Sequence, residues 1–228
     1  MINKTRIAPL LTTISSLILL CSSAVVNATL ITTVTSSDLT VSDSNSDGFM
    51  DSSLSASDGF IRVFGSGTLQ RGVWEYDLSA VTAGSTVNST SVLFEDRGTT
   101  VAGDMLLYGF AGDGIASIAD GDLTSSLIGS FTFVLGDLDY NIALDTSFFQ
   151  GLVDNNASYA GIVMVSSNES SFGPGADICS YDSTLSLCAG TTGSSLTIDF
   201  DVASVPEPSV LALMCLGLAG LGFSRKRK

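Results

Sequence analysis

The oxygen-bearing side chains whose spacing best suits chemistry lie in one short acidic stretch. Asp43, Asn45, Asp47 and Asp51 offer carboxylate or amide oxygens, and Gly48 allows a sharp bend among them. A tight loop with oxygen ligands at such positions can bring them together around a hard cation such as Ca²⁺. The stretch therefore predicts a calcium site made of these four oxygen-bearing residues.

Two features of this stretch favour a different interpretation. A complete twelve-residue calcium loop ends in a glutamate that binds the ion with both oxygens, whereas the twelfth position here is Leu54. The flanking sequence also lacks the helical pattern that would hold such a loop at both ends. A flexible Ser-, Asp- and Asn-rich loop without metal is the alternative, and both interpretations stay open.

The remaining residue types argue against catalysis. The sequence has no histidine, and its lysines lie only in the two terminal segments, so His-assisted nucleophiles and Schiff-base chemistry are excluded. Two carboxylates could still hydrolyse a glycoside. The central region has only Glu75, Glu95 and Glu169 as glutamates, and nothing in the sequence shows two carboxylates converging. We therefore expect a protein that is not an enzyme.

Two cysteines remain once the terminal segments are set aside. Cys179 and Cys188 have eight residues between them, in a loop-like stretch. In an oxidising compartment such a pair forms a local disulfide, and a metal site would require further ligands. We predict a disulfide between these two cysteines.

The charge of the central region restricts its partners. Between residues 29 and 205, only Arg62, Arg71 and Arg97 oppose 22 acidic residues, which leaves a net charge of about −19. Nucleic acids and anionic membrane surfaces attract basic patches, so neither is expected as a partner. Neutral sugars, cations or simple solubility in an extracellular matrix all fit this charge.

Aromatic side chains can provide a platform on which a neutral sugar stacks. The candidates are Trp74, Tyr108, Tyr140, Tyr159 and Tyr181. Most of them lie in alternating strand patterns that predict burial, whereas Tyr181 lies between the two cysteines, where exposure is expected. We predict carbohydrate binding with Tyr181 as a contact residue. The alternative is a structural matrix or surface protein with no specific ligand.

Alternating apolar and polar residues predict an all-β domain. Residues 196–202 and 131–135 show the period-two pattern of half-buried strands. Further strands are expected at residues 30–35, 60–64, 72–77, 89–95, 105–110, 140–144 and 159–166. The exception is Thr146 to Asp154, whose apolar residues lie on one helical face, with Asp145 or Thr146 as its cap. Short strands separated by turn residues favour a jelly-roll-like antiparallel β-sandwich with one short helix.

The N-terminus has the three parts of a secretory signal peptide. Lys4 and Arg6 give a positive start, residues 7–20 form an apolar run, and Val26-Asn27-Ala28 places small residues at a cleavage site. Threonines and serines interrupt the run, which leaves it short for a bilayer core of roughly 30 Å. We predict a signal helix that signal peptidase removes after Ala28.

The C-terminus combines three elements in a fixed order. Pro206-Glu207-Pro208 precedes an apolar, glycine-rich stretch at residues 209–223, and four basic residues at 225–228 follow it. Fifteen helical residues span roughly 22 Å, which suits a thinned bilayer, and the basic end would stay on the cytoplasmic side. The two prolines keep Glu207 in an extended segment that a processing enzyme can grip.

This arrangement resembles the PEP-CTERM sorting signal over about the last 24 residues. The resemblance implies a transmembrane helix after the Pro-Glu-Pro motif, recognition by an exosortase and cleavage near Pro206 to Pro208. It further implies a Gram-negative bacterium that makes exopolysaccharide. The protein would pass through an intermediate anchored in the inner membrane before it reaches the outer surface or the extracellular matrix.

A second resemblance covers the middle of the chain. The block from Arg71 to Phe94 contains an arginine, a strand ending in Tyr76-Asp77-Leu78-Ser79, an Ala83-Gly84 turn and a following strand that opens with small residues. It resembles the DNRLRE family of extracellular β-sandwich modules, over about residues 38–202. The family implies a jelly-roll sandwich related to carbohydrate-binding modules, without a mapped binding site.

These observations divide the chain into four parts. They are a signal peptide at residues 1–28, a Ser/Asp-rich first strand and loop region at 29–58, a β-sandwich domain at 59–204, and the PEP-CTERM sorting signal at 205–228. We expect an exported surface or matrix protein whose sandwich binds exopolysaccharide or another carbohydrate.

Overall fold

The computed structural model describes residues 28–54, 59–65, 68–98, 101–135, 139–169, 173–189 and 193–202. Ala28–Val202 form one compact unit. The predicted signal peptide, apart from Ala28, and the predicted sorting signal lie outside the described residues. Within those ranges, no helix has both the length and the apolar character needed to cross a membrane.

The described chain is mostly antiparallel β-structure with one α-helix, as the alternating pattern predicts. The strands are β1 (Ala28–Asp43), β2 (Ser52–Leu54), β3 (Phe60–Phe64), β4 (Leu69–Asp77), β5 (Thr86–Glu95), β6 (Gly103–Gly112), β7 (Leu127–Phe133), β8 (Asp139–Ala143), β9 (Tyr159–Ser166), β10 (Gly175–Cys179) and β11 (Ser194–Asp201). The helix α1 spans Thr146–Asp154, and short 3₁₀ turns lie at Ala119–Asp122 and Ser186–Cys188.

The first strand joins the two halves of one eleven-stranded sheet of the described residues, and we call these halves its two layers. Its N-terminal half pairs with β11, which continues through β5 to β8, while its second half pairs with β4, which continues through β9 and β6 to β7. The register shifts between Thr35 and Ser37, where the strand passes from one layer to the other. Such a bulge bends a strand and increases its twist. Two small strand pairs complete the sheet: β2 lies beside β1, and β10 pairs with β3.

The inner core lies between the two layers and is almost entirely apolar. Trp74 of β4 packs against Phe94 of β5 across the layers, with ring centroids 4.9 Å apart. Phe131, Phe133 and Tyr140 extend this aromatic contact toward the ends of β7 and β8. Each of these rings comes from an alternating strand, so the period-two pattern accounts for the whole assembly.

The structure extends and corrects the predicted elements. The helix has the predicted bounds, and Asp145 caps it by accepting a hydrogen bond from the Ser147 amide at 2.9 Å. The strand predicted at residues 131–135 instead covers Leu127–Phe133, and Val134 and Leu135 are exposed beyond its end. The short strands β2 and β10 were not predicted, because neither presents enough alternating residues to distinguish it from a loop.

A second apolar group, the outer cluster, lies on the opposite face of the β4 layer. Its buried members are Val41, Met50, Val73, Phe110, Val163 and Val165. The segment at residues 113–124, here called the strap, covers the cluster, and its Ala116 and Ile118 pack against it. The strap is fastened to β1 where the Ala116 amide donates to Ser37 Oγ at 3.0 Å. Both faces of β4 are therefore buried.

Candidate functional site

The predicted disulfide is present and closes a loop beside the strand pair β3–β10. Cys179 and Cys188 are joined, with their Cα atoms 5.7 Å apart, and both residues are buried. We call residues 180–187 the disulfide loop. The bond removes conformational freedom from the unfolded chain and fixes where the loop leaves and rejoins the fold.

Tyr181 lies on this loop with its side chain exposed and its backbone fixed. The residue is 48 % exposed. Its amide donates to Asp38 Oδ2 at 2.9 Å, and the neighbouring Ser180 Oγ lies 2.9 Å from Asp38 Oδ1 and 2.6 Å from Asp182 Oδ1. The disulfide loop therefore carries an exposed aromatic residue whose backbone is held by Asp38 of β1.

Asp38 is the anchor that holds the disulfide loop to β1. Burial raises the pKa of this carboxyl to about 6, and the nearby charge of Asp182 acts in the same direction. The hydrogen bonds from Tyr181 and Ser180 partly oppose this increase by favouring the ionised form. The Asp38 carboxyl group therefore changes from neutral to negative as the pH rises through about 6.

The other predicted aromatic candidates lie in the core or against it. Trp74 is fully buried and Tyr140 is 9 % exposed, while Tyr108 and Tyr159 are half-buried. Phe49, at the acidic stretch, is 65 % exposed and was not among the sequence candidates. Phe49 follows Gly48 in a polar stretch without alternating apolar residues, so the sequence pattern did not single it out.

The acidic stretch forms a tight loop whose side chains bind its own backbone. Asp43 accepts hydrogen bonds from the amides of Ser46 at 2.6 Å and Gly48 at 2.7 Å. Asn45 and Asp47 each accept from the amide two residues further on, both at 2.9 Å.

Asp51 closes the same loop, because its Oδ1 accepts hydrogen bonds from both the amide and the hydroxyl of Ser44. In the described part of the chain, no three His, Cys, Asp or Glu side chains are grouped to hold a metal ion. The oxygens of the predicted site therefore stabilise the loop, and calcium binding by Asp43, Asn45, Asp47 and Asp51 stays a prediction.

Glu75 is the most deeply buried carboxyl group of the described chain, with no exposed surface. Its Oε2 accepts a short hydrogen bond from the Gly114 amide of the strap, and its Oε1 has no hydrogen-bond partner among the described residues. Burial raises the pKa of Glu75, and the charges of Asp113 and Asp120 on the strap raise it further. This buried carboxyl group therefore lies beneath the strap.

Arg71 connects three surface segments over the outer cluster. Its guanidinium binds Glu169 through two nitrogens, at 2.9 and 3.1 Å, and donates to the Gly121 carbonyl at 2.8 Å. It also lies 3.3 Å from Asp122, which accepts a hydrogen bond from the Met50 amide. The arginine that contributed to the family resemblance is thus a structural hub, and sequence spacing did not reveal its partners.

The comparison with known families identifies the C-terminal segment. Residues 204–228 match the PEP-CTERM protein-sorting motif, which includes the predicted Pro206, Glu207 and Pro208. This motif marks a protein for exosortase-dependent sorting and fits an exported chain that passes through a membrane. No curated protein matches the chain.

Proposed function

We propose that this chain is an exported protein that an exosortase separates from its C-terminal signal and delivers to the outer surface or extracellular matrix of a Gram-negative bacterium. The match of residues 204–228 to the sorting motif carries the proposal. Signal peptidase would remove residues 1–28 first, and the processing site near Glu207 would then lie outside the membrane, as the basic tail remains in the cytoplasm.

The fold of the cargo is proposed to be a jelly roll of the kind found in the DNRLRE modules. The order of strands supports this, since one layer reads β1-β11-β5-β8 and the other β4-β9-β6-β7. The chain also passes repeatedly between layers, from β4 to β5, from β5 to β6, and from β7 through β8 to β9. Long crossings of this kind distinguish a double-sheet jelly roll from a simple meander.

We further propose that the disulfide loop binds a neutral or weakly charged polysaccharide through Tyr181. Two features support this: Tyr181 is 48 % exposed, and the hydrogen bonds of its amide and of Ser180 with Asp38 hold the loop in place. The strongly acidic surface would exclude polyanions. The protein would bind without cleaving, since Glu75 is buried, while Glu95 and Glu169 are engaged with arginines. A protein that serves only as matrix structure is the alternative.

The sorting proposal is tested by changing Glu207 in the host and following the chain by fractionation. Glu207→Ala should leave a full-length, inner-membrane form, as should deletion of the exosortase. An Asp51→Asn variant, altered at an exposed residue far from the motif in sequence, should be processed like the wild type. If Glu207→Ala and the deletion strain both release a shortened chain, exosortase processing is ruled out.

The carbohydrate proposal is tested with exopolysaccharide extracted from the same host. Tyr181→Ala should weaken binding by roughly two- to tenfold, because one stacked ring contributes on the order of 0.5–1.5 kcal/mol. Leu187→Ala is the matched control, since Leu187 is 64 % exposed on the same loop. Equal binding by both variants, or none by the wild type, would favour the structural alternative.

A further inference from the structure

One edge of β1 has no neighbouring strand in the described structure. Residues 28–34 pair with β11 on one side, but β4 pairs with β1 only from Thr35 onward on the other. In the exported chain, which begins at Thr29, the free stretch has six residues and is about 20 Å long at ~3.3 Å per residue. A strand of this length with one open edge can pair with another strand.

The residues of this edge lack the usual protection against pairing. In the exported chain the sequence Thr29-Leu-Ile-Thr-Thr-Val34 contains no charged side chain, no proline and no glycine, and five of its six residues are β-branched. Natural sheets normally carry lysine, proline or a bulge on an exposed edge. Here the bulge comes only at Thr35 to Ser37, beyond the free stretch.

Space for a further strand lies directly beside this edge. A shallow groove is lined by Ile31 to Val34 on one side and by Asp77, Ser79 and Ala80, at the end of β4, on the other. The groove ends where β4 begins to pair with Thr35, so an added strand could extend along residues 30–34 and no further.

Two exposed aliphatic side chains accompany the edge. Leu30 is 69 % exposed and Val34 is 51 % exposed, and with Thr32 they lie on the same face of β1. Singly exposed aliphatic residues need no explanation, but two that flank an unpaired edge would be covered if another strand brought an apolar residue opposite each.

We propose that this edge pairs with the same edge of a second copy of the chain, antiparallel, about a twofold axis at Thr32. In this register Leu30 lies opposite Val34 of the second copy, Ile31 opposite Thr33, and Thr32 opposite itself. Both exposed aliphatic residues therefore gain a cross-strand partner. The two four-stranded layers become one eight-stranded layer through a self-complementary contact, as twofold symmetry requires.

The charge distribution makes this edge the place on the surface where two copies of the chain repel one another least. The central region carries a net charge of about −19, so two copies repel one another over most of their surfaces. Residues 29–34 have no charged side chain, the α-amino group that cleavage creates at Thr29 is positive, and Asp77 is the charged side chain that lines the groove. Contact between copies therefore costs least along this edge, where backbone hydrogen bonds also become available.

The test combines a mass measurement with cysteine cross-linking of the chain purified as the host exports it. Analytical ultracentrifugation should give a dimer for the wild type and for Ser89→Lys, which places a charge on an exposed residue of the interior strand β5 in the same layer. Thr32→Lys should give a monomer that keeps the circular dichroism spectrum of the folded wild type, because Thr32 is exposed and the change places two like charges together on the axis.

Cross-linking fixes the register. Residues directly opposite in an antiparallel pair have Cα atoms about 4.5–5.5 Å apart, within reach of a disulfide. Thr32→Cys should therefore form a covalent dimer on mild oxidation. Val34→Cys should not exceed the wild-type background, since its two copies would lie roughly 13 Å apart along the strands. A monomeric wild type, or equal cross-linking of the two variants, would overturn the proposal.

Discussion

The two faces of β4 bury different chemistry. On the inner face, Trp74 and Tyr76 enter an apolar core, and the Tyr76 hydroxyl binds Ser194 at 2.8 Å. On the outer face, Arg71 and Glu75 lie beside Val73 under the strap. The inner face is held by packing, whereas the outer face is held by an ion-pair hub and a buried carboxyl group that binds the strap.

This difference indicates how each face responds to solution conditions. Apolar packing depends little on salt or pH near neutrality. Ion pairs that reach the surface weaken as salt rises, and a buried carboxyl changes its charge with pH. We therefore expect the core to set the stability of the domain, and the outer face to set how firmly the strap is closed.

The largest expected effect is a cavity in the inner core. Trp74→Ala should lower the free energy of unfolding by about 3–5 kcal/mol, because a large, fully buried ring is lost and the site cannot collapse. Val73→Ala, at the adjacent buried position on the outer face, should cost about 2 kcal/mol. Urea unfolding measures both, and equal losses would contradict the distinction between the two faces.

The second largest expected loss of stability comes from removing the ion pairs of Arg71 on the outer face. Arg71→Met should cost about 2 kcal/mol, less than a fully buried ion pair, since Glu169 and Asp122 are about 30 % exposed and partly hydrated. Arg62→Met is the matched control: the Arg62 side chain is 38 % exposed, against 9 % for Arg71, so its loss should stay below about 1 kcal/mol. A larger loss for Arg62→Met would show that the hub does not hold the outer face.

A smaller effect, opposite in sign, is expected at Glu75. Its pKa is raised in the folded state, so its contribution to stability is complete below the ordinary glutamate pKa and is lost as the pH rises through the raised value. Glu75→Gln should therefore become more stable than the wild type as pH increases. Unfolding measured across pH tests this prediction, and a difference that is independent of pH would contradict it.

The smallest effect is local and concerns the disulfide loop. Asp38 has a pKa of about 6, so the backbone amide signal of Tyr181 should titrate in NMR spectra with a midpoint near that pH. Asp38→Asn should abolish this titration. Asp182→Asn should lower the midpoint, because the charge of Asp182 raises the pKa of Asp38. A midpoint near 4 in the wild type would show that the anchor is not buried in solution.

Sequence patterns predicted the inner face far better than the outer one. Alternation shows which residues face a core, so the rings of β4 and β5 and the helix at residues 146–154 could be found without coordinates. In Val73-Trp74-Glu75-Tyr76, the same rule treats Glu75 as solvated, since alternation assumes one wet face. Burial of both faces comes from the strap, a long-range contact that no local spacing encodes.

The sequence likewise predicted some features of the candidate site and not others. Cys179, Cys188 and the exposure of Tyr181 follow from residue type and local context. The contact of Tyr181 with Asp38 joins residues 143 positions apart, so it required the fold. The sorting motif could be identified from sequence alone because its three parts are contiguous.

The most direct test of the account is the intact mass of the chain recovered outside the cell of its native host. Exosortase sorting predicts a chain that begins at Thr29 and ends near Pro206 to Pro208, with any covalent addition located at that end. A recovered chain that still carries the basic residues 225–228 would contradict the central claim that the C-terminal segment is a processed sorting signal.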